Sequence, residues 1–220
     1  MHHQSSPPPP ASAPGIWLVR HGESTWNIAG LAQGHNDLAE LTERGLTQAS
    51  DAAWQFRDQP IRAIYASDLR RALQTAAAFS VVLGLPVFAD ERLRERSLGV
   101  LEGLPTAENG PSLTGLDDDR VVDPDARPAG GESVRDLYHR AAGFLDELAV
   151  TVGDDDAAGD VVVVAHGGTV RVLTAYLNGI SVDQMSWGPV ANATTVRIPD
   201  FRAQLPVPQQ LLHHPQGGTR

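Results

Sequence analysis

Apolar and polar positions along this chain follow two periods that take turns. Short, mostly apolar runs at Ile16 to Val19, Ile61 to Ala66, Leu85 to Phe88, Val161 to Ala165 and Thr194 to Ile198 predict strands. Between them, apolar residues recur every three to four positions. Thr42, a good N-cap, opens a predicted helix to about Arg57 with Leu46, Ala49, Ala53 and Phe56 on one face. Asp68 to about Leu83 predicts a second helix, with Gly84 as its stop. The clearest stripe runs from Glu132 to Val152 and carries Val134, Leu137, Ala141, Phe144, Leu145, Leu148 and Val152. A last helix is predicted from Thr169 to about Leu177. Strands alternating with helices predict a three-layer α/β/α sandwich around a mostly parallel sheet. Four consecutive valines and an alanine make Val161 to Ala165 the expected central strand.

Three stretches carry neither period. Residues 1–14, with Pro7 to Pro10 consecutive, predict a disordered proline-rich arm, and residues 206–220 a flexible tail. That leaves one domain over residues 15–205. Residues 104–131 are rich in Pro, Gly and Asp and predict a surface loop or lid.

Composition changes this picture by exclusion. A chain of 220 residues can bury a substantial core as one domain. No apolar run approaches the roughly 18 residues of a membrane span, and the start lacks the apolar centre of a secretory signal. Cysteine is absent, which excludes disulfides, thiolate metal sites and cysteine nucleophiles and fits a cytoplasmic location. All 17 basic residues are arginine. A Walker-type phosphate loop and a Schiff-base centre, which need lysine, are thereby excluded. A formal net charge of −10 argues against a nucleic-acid partner. An anionic substrate must then be gripped by a few arginines focused in a cleft.

Two strands end alike. The first delivers Arg20-His21-Gly22 and the central one His166-Gly167-Gly168, just where a helix begins. Ligands of open α/β sheets sit at such strand ends, and a helix N-terminus favours an anion. A single histidine there would more often bond locally. Two of them, each followed by glycine, point to one shared site.

The surrounding residues extend this into a family pattern. Leu18-Val19-Arg20-His21-Gly22-Glu23-Ser24 with Asn27, then Gln33-Gly34 with Asp37 and Leu41-Thr42-Glu43-Arg44-Gly45, resemble blocks of the histidine phosphatase superfamily, the phosphoglycerate mutase-like enzymes (branch 1). So do Ala66-Ser67-Asp68-Leu69-Arg70-Arg71-Ala72, Leu93-Arg94-Glu95 with Gly99 and Glu102-Gly103, Gly130-Gly131-Glu132-Ser133, and Val163-Val164-Ala165-His166-Gly167-Gly168-Thr169-Val170-Arg171. The resemblance implies that His21 is phosphorylated and that Arg20, Arg71 and His166 form the phosphate pocket. It implies further contacts at Asn27, Gln33, Gly34 and Gly167, with Glu95 as proton donor. Arg70 is expected on the helix surface, His35 on a solvated loop, and Trp26 and Trp187 in packing.

The implied activity is metal-independent hydrolysis of a small phosphomonoester through a phosphohistidine, with no cofactor. Phosphoryl transfer needs positioning and charge stabilisation, which two arginines and a histidine supply. A nucleophilic imidazole must be unprotonated, and nearby guanidinium groups favour that state. Mutase-type transfer is the alternative, and a non-catalytic phosphate-binding scaffold a further one. Mutases of the family carry aromatic and lysine positions where this chain reads Ser97-Leu98 and Pro105-Thr106. Residues 104–131, 33–40 and 187–192 are expected to set substrate choice. A homodimer is left open.

Overall fold

The computed structural model describes residues 13–108, 115–117, 120–153 and 159–205. Apart from residues 13 and 14, the expected arm lies outside the described residues, as does the expected tail. In chain order the elements open with β1 (Ile16–Arg20), a short α1 (Thr25–Ile28), α2 (Glu43–Trp54), β2 (Ile61–Ala66) and α3 (Arg70–Leu83). Then come β3 (Val87–Ala89), a hairpin of β4 (Leu116–Asp117) and β5 (Arg120–Val121), α4 (Val134–Gly153), β6 (Asp160–Ala165), α5 (Gly167–Leu177) and β7 (Thr195–Ile198).

The sheet runs β3-β2-β6-β1-β7, with β3, β2, β6 and β1 parallel and β7 antiparallel on the edge. Period-two geometry sends alternate residues of a strand to opposite faces. Val161, Val163 and Ala165 of β6 therefore meet Leu137 and Leu145 of α4 and Leu173 of α5. Val162 and Val164 meet Ala53 of α2, Phe56 just after that helix and Phe79 of α3. Both faces of β6 are covered, and all six of its residues are buried, which is why it reads as an unbroken apolar run.

Local chemistry sets the helix ends. The Thr42 hydroxyl accepts from the Gly45 N–H at 2.9 Å. At α4 the Ser133 N–H donates to Asp136 Oδ2 at 2.8 Å, and the Asp136 N–H donates to Ser133 Oγ at 3.1 Å, a reciprocal cap. Gly84 closes α3 in the left-handed region at φ 68°.

Four expectations are corrected. Leu46 is 48% exposed, and α2 instead buries Gly45, Ala49, Ala52 and Ala53. The helix approaches the loop after β1 backbone to backbone: a Cβ on Gly45 would fall 2.0 Å from the Glu23 carbonyl oxygen. That close approach turns Leu46 outward. The third strand starts at Val87 rather than Leu85, and α5 starts at Gly167 rather than Thr169. Within residues 104–131, a 3₁₀ turn at Thr106–Glu108 and the β4–β5 hairpin interrupt the expected loop. Among the described residues, no helix is long and apolar enough to cross a membrane.

Candidate active site

The parallel register of β1 and β6 builds the centre of the site. Arg20 pairs with Ala165, so the next residue of each strand, His21 and His166, leaves the sheet at the same level. The His21 N–H donates to the Ala165 carbonyl at 2.9 Å, which locks the two strand ends together. The imidazole rings meet edge to face, centroids 5.2 Å apart.

His21 lines a cleft of about 230 Å³. Its Nδ1 is 2.7 Å from the Gly22 carbonyl. A carbonyl only accepts, so Nδ1 carries the proton and Nε2 keeps its lone pair. Burial, then the guanidinium groups of Arg71 and Arg20, hold the His21 pKa well below its ordinary value. His166 is fully buried behind it. Burial and the neighbouring Arg71, His21 and Arg20 depress its pKa in the same direction.

Arg71 enters from the first turn of α3 and is completely buried, whereas Arg70 is exposed. It donates to the carbonyls of Asn36 and Gly34, both at 2.9 Å, and so pins the 33–36 loop over the site. Burial lowers its pKa to about 10, leaving it charged at neutral pH. Gly34 has φ 48°, and a Cβ there would lie 2.2 Å from Glu102 Oε1. That carboxylate oxygen accepts from the N–H groups of His35 and Leu98 at 2.9 Å each. Arg20 donates from Nη1 to the Val190 carbonyl. Nε of Arg20, Nε of Arg71 and both ring nitrogens of His166 are buried with no hydrogen-bond partner among the described residues. A neutral imidazole donates from one ring nitrogen, so Arg20, Arg71 and His166 together offer three unpaired N–H donors, which suit an oxyanion.

Glu95 lines the same cleft. Its Oε1 accepts from the Arg96 N–H and its Oε2 from the Gly168 N–H at the start of α5, each at 2.9 Å. Arg140 of α4 holds this turn from behind. It pairs with Glu132 at 2.7 and 2.8 Å and donates to the carbonyls of Arg92, Arg94 and Glu95. His35 is half-buried and donates from Nε2 to the Glu95 carbonyl at 2.8 Å, so it is no solvated loop residue.

Asn27 and Gln33 line the cleft. Asn27 Oδ1 accepts from the Ser24 N–H at 3.0 Å and from Asn192 Nδ2 at 3.1 Å. Gly167 lies beneath the wall, where a Cβ would fall 3.2 Å from Arg171 Nη1 and 3.5 Å from Arg20 Nε; its missing side chain gives those guanidinium groups room. Sequence reasoning left two wall residues without a role, Arg96 and Arg171, and gave Trp187 to packing by default although residues 187–192 were expected to set substrate choice. Arg96 follows the acid in a charged run, Arg171 closes the second histidine block, and Trp187 falls in a stretch without periodicity.

The match to a family model decides the assignment: residues 16–207 fit that of the histidine phosphatase superfamily (branch 1). The chain belongs to this superfamily. Within it, a glucosyl-3-phosphoglycerate phosphatase from Mycolicibacterium vanbaalenii is 38% identical over 192 residues, covering 82% of each chain. Phosphoglycerate mutase-like protein 4 from Arabidopsis thaliana is 39% identical over 163 residues, 72% of this chain and 68% of that protein. Among solved structures, a mycobacterial glucosyl-3-phosphoglycerate phosphatase complexed with VO3 superposes with a TM-score of 0.72 at 33% identity, covering 86% of this chain and 94% of that one. The α/β fold with its mostly parallel sheet is thus the histidine phosphatase fold, and the family is one of phosphoryl-transfer enzymes that includes both phosphatases and mutases by name.

Proposed function

We propose that this histidine phosphatase hydrolyses a small phosphomonoester through a phosphohistidine at His21. The observation that carries this reading is the His21 tautomer: Nδ1–H is spent on Gly22, and the Nε2 lone pair stands beside Arg20 and Arg71. Arg20, Arg71 and His166 grip the phosphoryl oxygens, with Asn27, Gln33, Gly34 and Gly167 completing the cradle. As the His21 Nε2–P bond forms and the ester P–O bond breaks, the leaving oxygen takes its proton from Glu95. Water then attacks phosphorus, returns a proton to Glu95 and releases phosphate as the P–N bond breaks. The chemistry asks for no metal or cofactor, because guanidinium and imidazole groups supply the charge stabilisation.

The relatives named glucosyl-3-phosphoglycerate phosphatase place that ester first among substrates to try. The partner is the small ester itself; a cysteine-free chain suits the cytoplasm, and a homodimer is the assembly to seek by sedimentation. The likeness to the Arabidopsis mutase-like protein favours a second reading, phosphoryl transfer between hydroxyls. Incubation with a phosphoglycerate isomer separates the two: hydrolysis releases phosphate, whereas a mutase yields the other isomer. His21→Ala is expected to lower kcat by at least about 10³-fold. Brief mixing with a ³²P-labelled ester should leave label on wild-type chain that acid removes and base does not. Turnover close to normal in His21→Ala would defeat the nucleophile assignment.

A further inference from the structure

A proton donor works only within reach of the leaving oxygen, so Glu95 must stand at a set distance from the phosphate cradle. The two come from different parts of the chain: Arg71 from the start of α3, Glu95 from the turn beyond β3. Residues 33–36 join them, and His35 supplies the side chain that does so.

Arg71 donates to the carbonyls of Gly34 and Asn36, the residues on either side of His35. Backbone thus fastens this loop to the guanidinium that grips phosphate. Two further bonds fasten it to the acid turn. The His35 N–H donates to Glu102 Oε1, which also accepts from the N–H of Leu98, three residues past the acid. The His35 ring reaches the acid residue itself, its Nε2–H donating to the Glu95 carbonyl at 2.8 Å.

On that carbonyl His35 meets Arg140, whose Nη2 donates to it at 3.0 Å. A carbonyl oxygen has two lone pairs, so the two donors fill it and hold the peptide from turning. Their directions differ. Arg140 ties the carbonyl to α4 and, through Glu132, to the back of the site. His35 ties it to the loop that Arg71 holds, and so to the phosphate. At the other end of the residue, the Glu95 carboxylate rests on the N–H groups of Arg96 and Gly168. His35 itself does not line the cleft. We propose that His35 is a positioning residue for the general acid, a strut that sets the reach of the Glu95 carboxyl to the leaving oxygen. This rests on the hydrolase reading above.

Leaving-group basicity tests the strut, because an acid matters only to an alcohol that needs a proton. p-Nitrophenyl, phenyl and benzyl phosphate are similar in shape; nitrophenolate departs unaided, whereas benzyl alkoxide does not. kcat/KM covers the steps through phosphorylation of His21, in which the ester bond breaks. His35→Ala keeps the backbone bonds to Arg71 and Glu102 and removes only the ring. It is expected to lose about tenfold in kcat/KM on benzyl phosphate and under about twofold on p-nitrophenyl phosphate, with phenyl phosphate between. Glu95→Gln should show the same order with a larger loss, about 10²-fold on benzyl phosphate. His35→Gln, whose Nε2 offers a donor where the ring had one, should recover most of the benzyl phosphate rate. Should His35→Ala fail to fold, His35→Asn, whose shorter amide stops short of the carbonyl, takes its place. A loss equal across the three esters, no loss at all, or no recovery in His35→Gln overturns the strut and leaves the hydrolase standing. A flat series in Glu95→Gln overturns the acid assignment and the strut together. No phosphate release by wild type from any ester overturns the hydrolase reading itself.

Discussion

At the scale of single residues, the histidines carry a measurable signature. His21 and His166 have folded pKa values well below 6.5. Below about pH 6.5 the unfolded chain therefore takes up protons that the folded chain refuses. Stability is full above that pH and is lost as pH falls through it, by about 1.4 kcal/mol per pH unit for each histidine. The paired carboxylates of Asp68, Glu132 and Asp160, whose pKa values are depressed, act at lower pH. Urea unfolding at pH 7.5 and 5.5 should show wild type losing about 2–3 kcal/mol and His166→Asn about half that. An equal loss in both proteins would assign the effect elsewhere. The histidines were legible because each ends an apolar run and precedes a glycine. Arg96 was not, since a run of alternating charges looks solvated. Its neighbours do pair outward, Arg94 with Asp68 and Arg92 with Asp90 and Glu147, while Arg96 alone of the three turns into the cleft.

At the scale of elements, packing partners decide what the pattern leaves open. The unbroken valines of β6 and the stripe of α4 were readable because burial on two faces or on one helical stripe leaves a periodic trace. The orientation of α2 was not readable, because its closest approach is made by backbone. Gly45 lies against Glu23 and a Cβ on Gly22 would fall 2.4 Å from the Gly45 carbonyl oxygen, a contact no apolar pattern encodes. This docking sets the loop that carries His21. Gly45→Ala should push α2 away from that loop, costing about 1–3 kcal/mol of stability. It should also lower kcat with no group of the site removed. A variant as stable and active as wild type would show that the loop does not depend on α2. The hairpin of β4 and β5 escaped the sequence because two-residue strands are too short to show a period.

At the scale of the whole molecule, an acidic body holds a basic cleft. The chain carries a net charge of −10, yet Arg20, Arg71, Arg96 and Arg171 converge where β1 and β6 end. Fully buried Arg71 and His166 next to His21 place cations and polar nitrogens together in low dielectric, an arrangement that an oxyanion relieves. Inorganic phosphate should therefore raise the melting temperature, with stabilisation of about 2.7 kcal/mol at a hundredfold excess over its Kd. A melting curve indifferent to phosphate would contradict the oxyanion role of these nitrogens. The unpartnered nitrogens around His166 have a kinetic corollary. In the proposed hydrolysis they hold the phosphoryl group alone, so the free phosphate released at the end of a turnover would fit them as well as the ester did. Product must then compete with substrate for the cradle, and throughput would slow as the phosphate pool rises: a feedback loop that needs no second site.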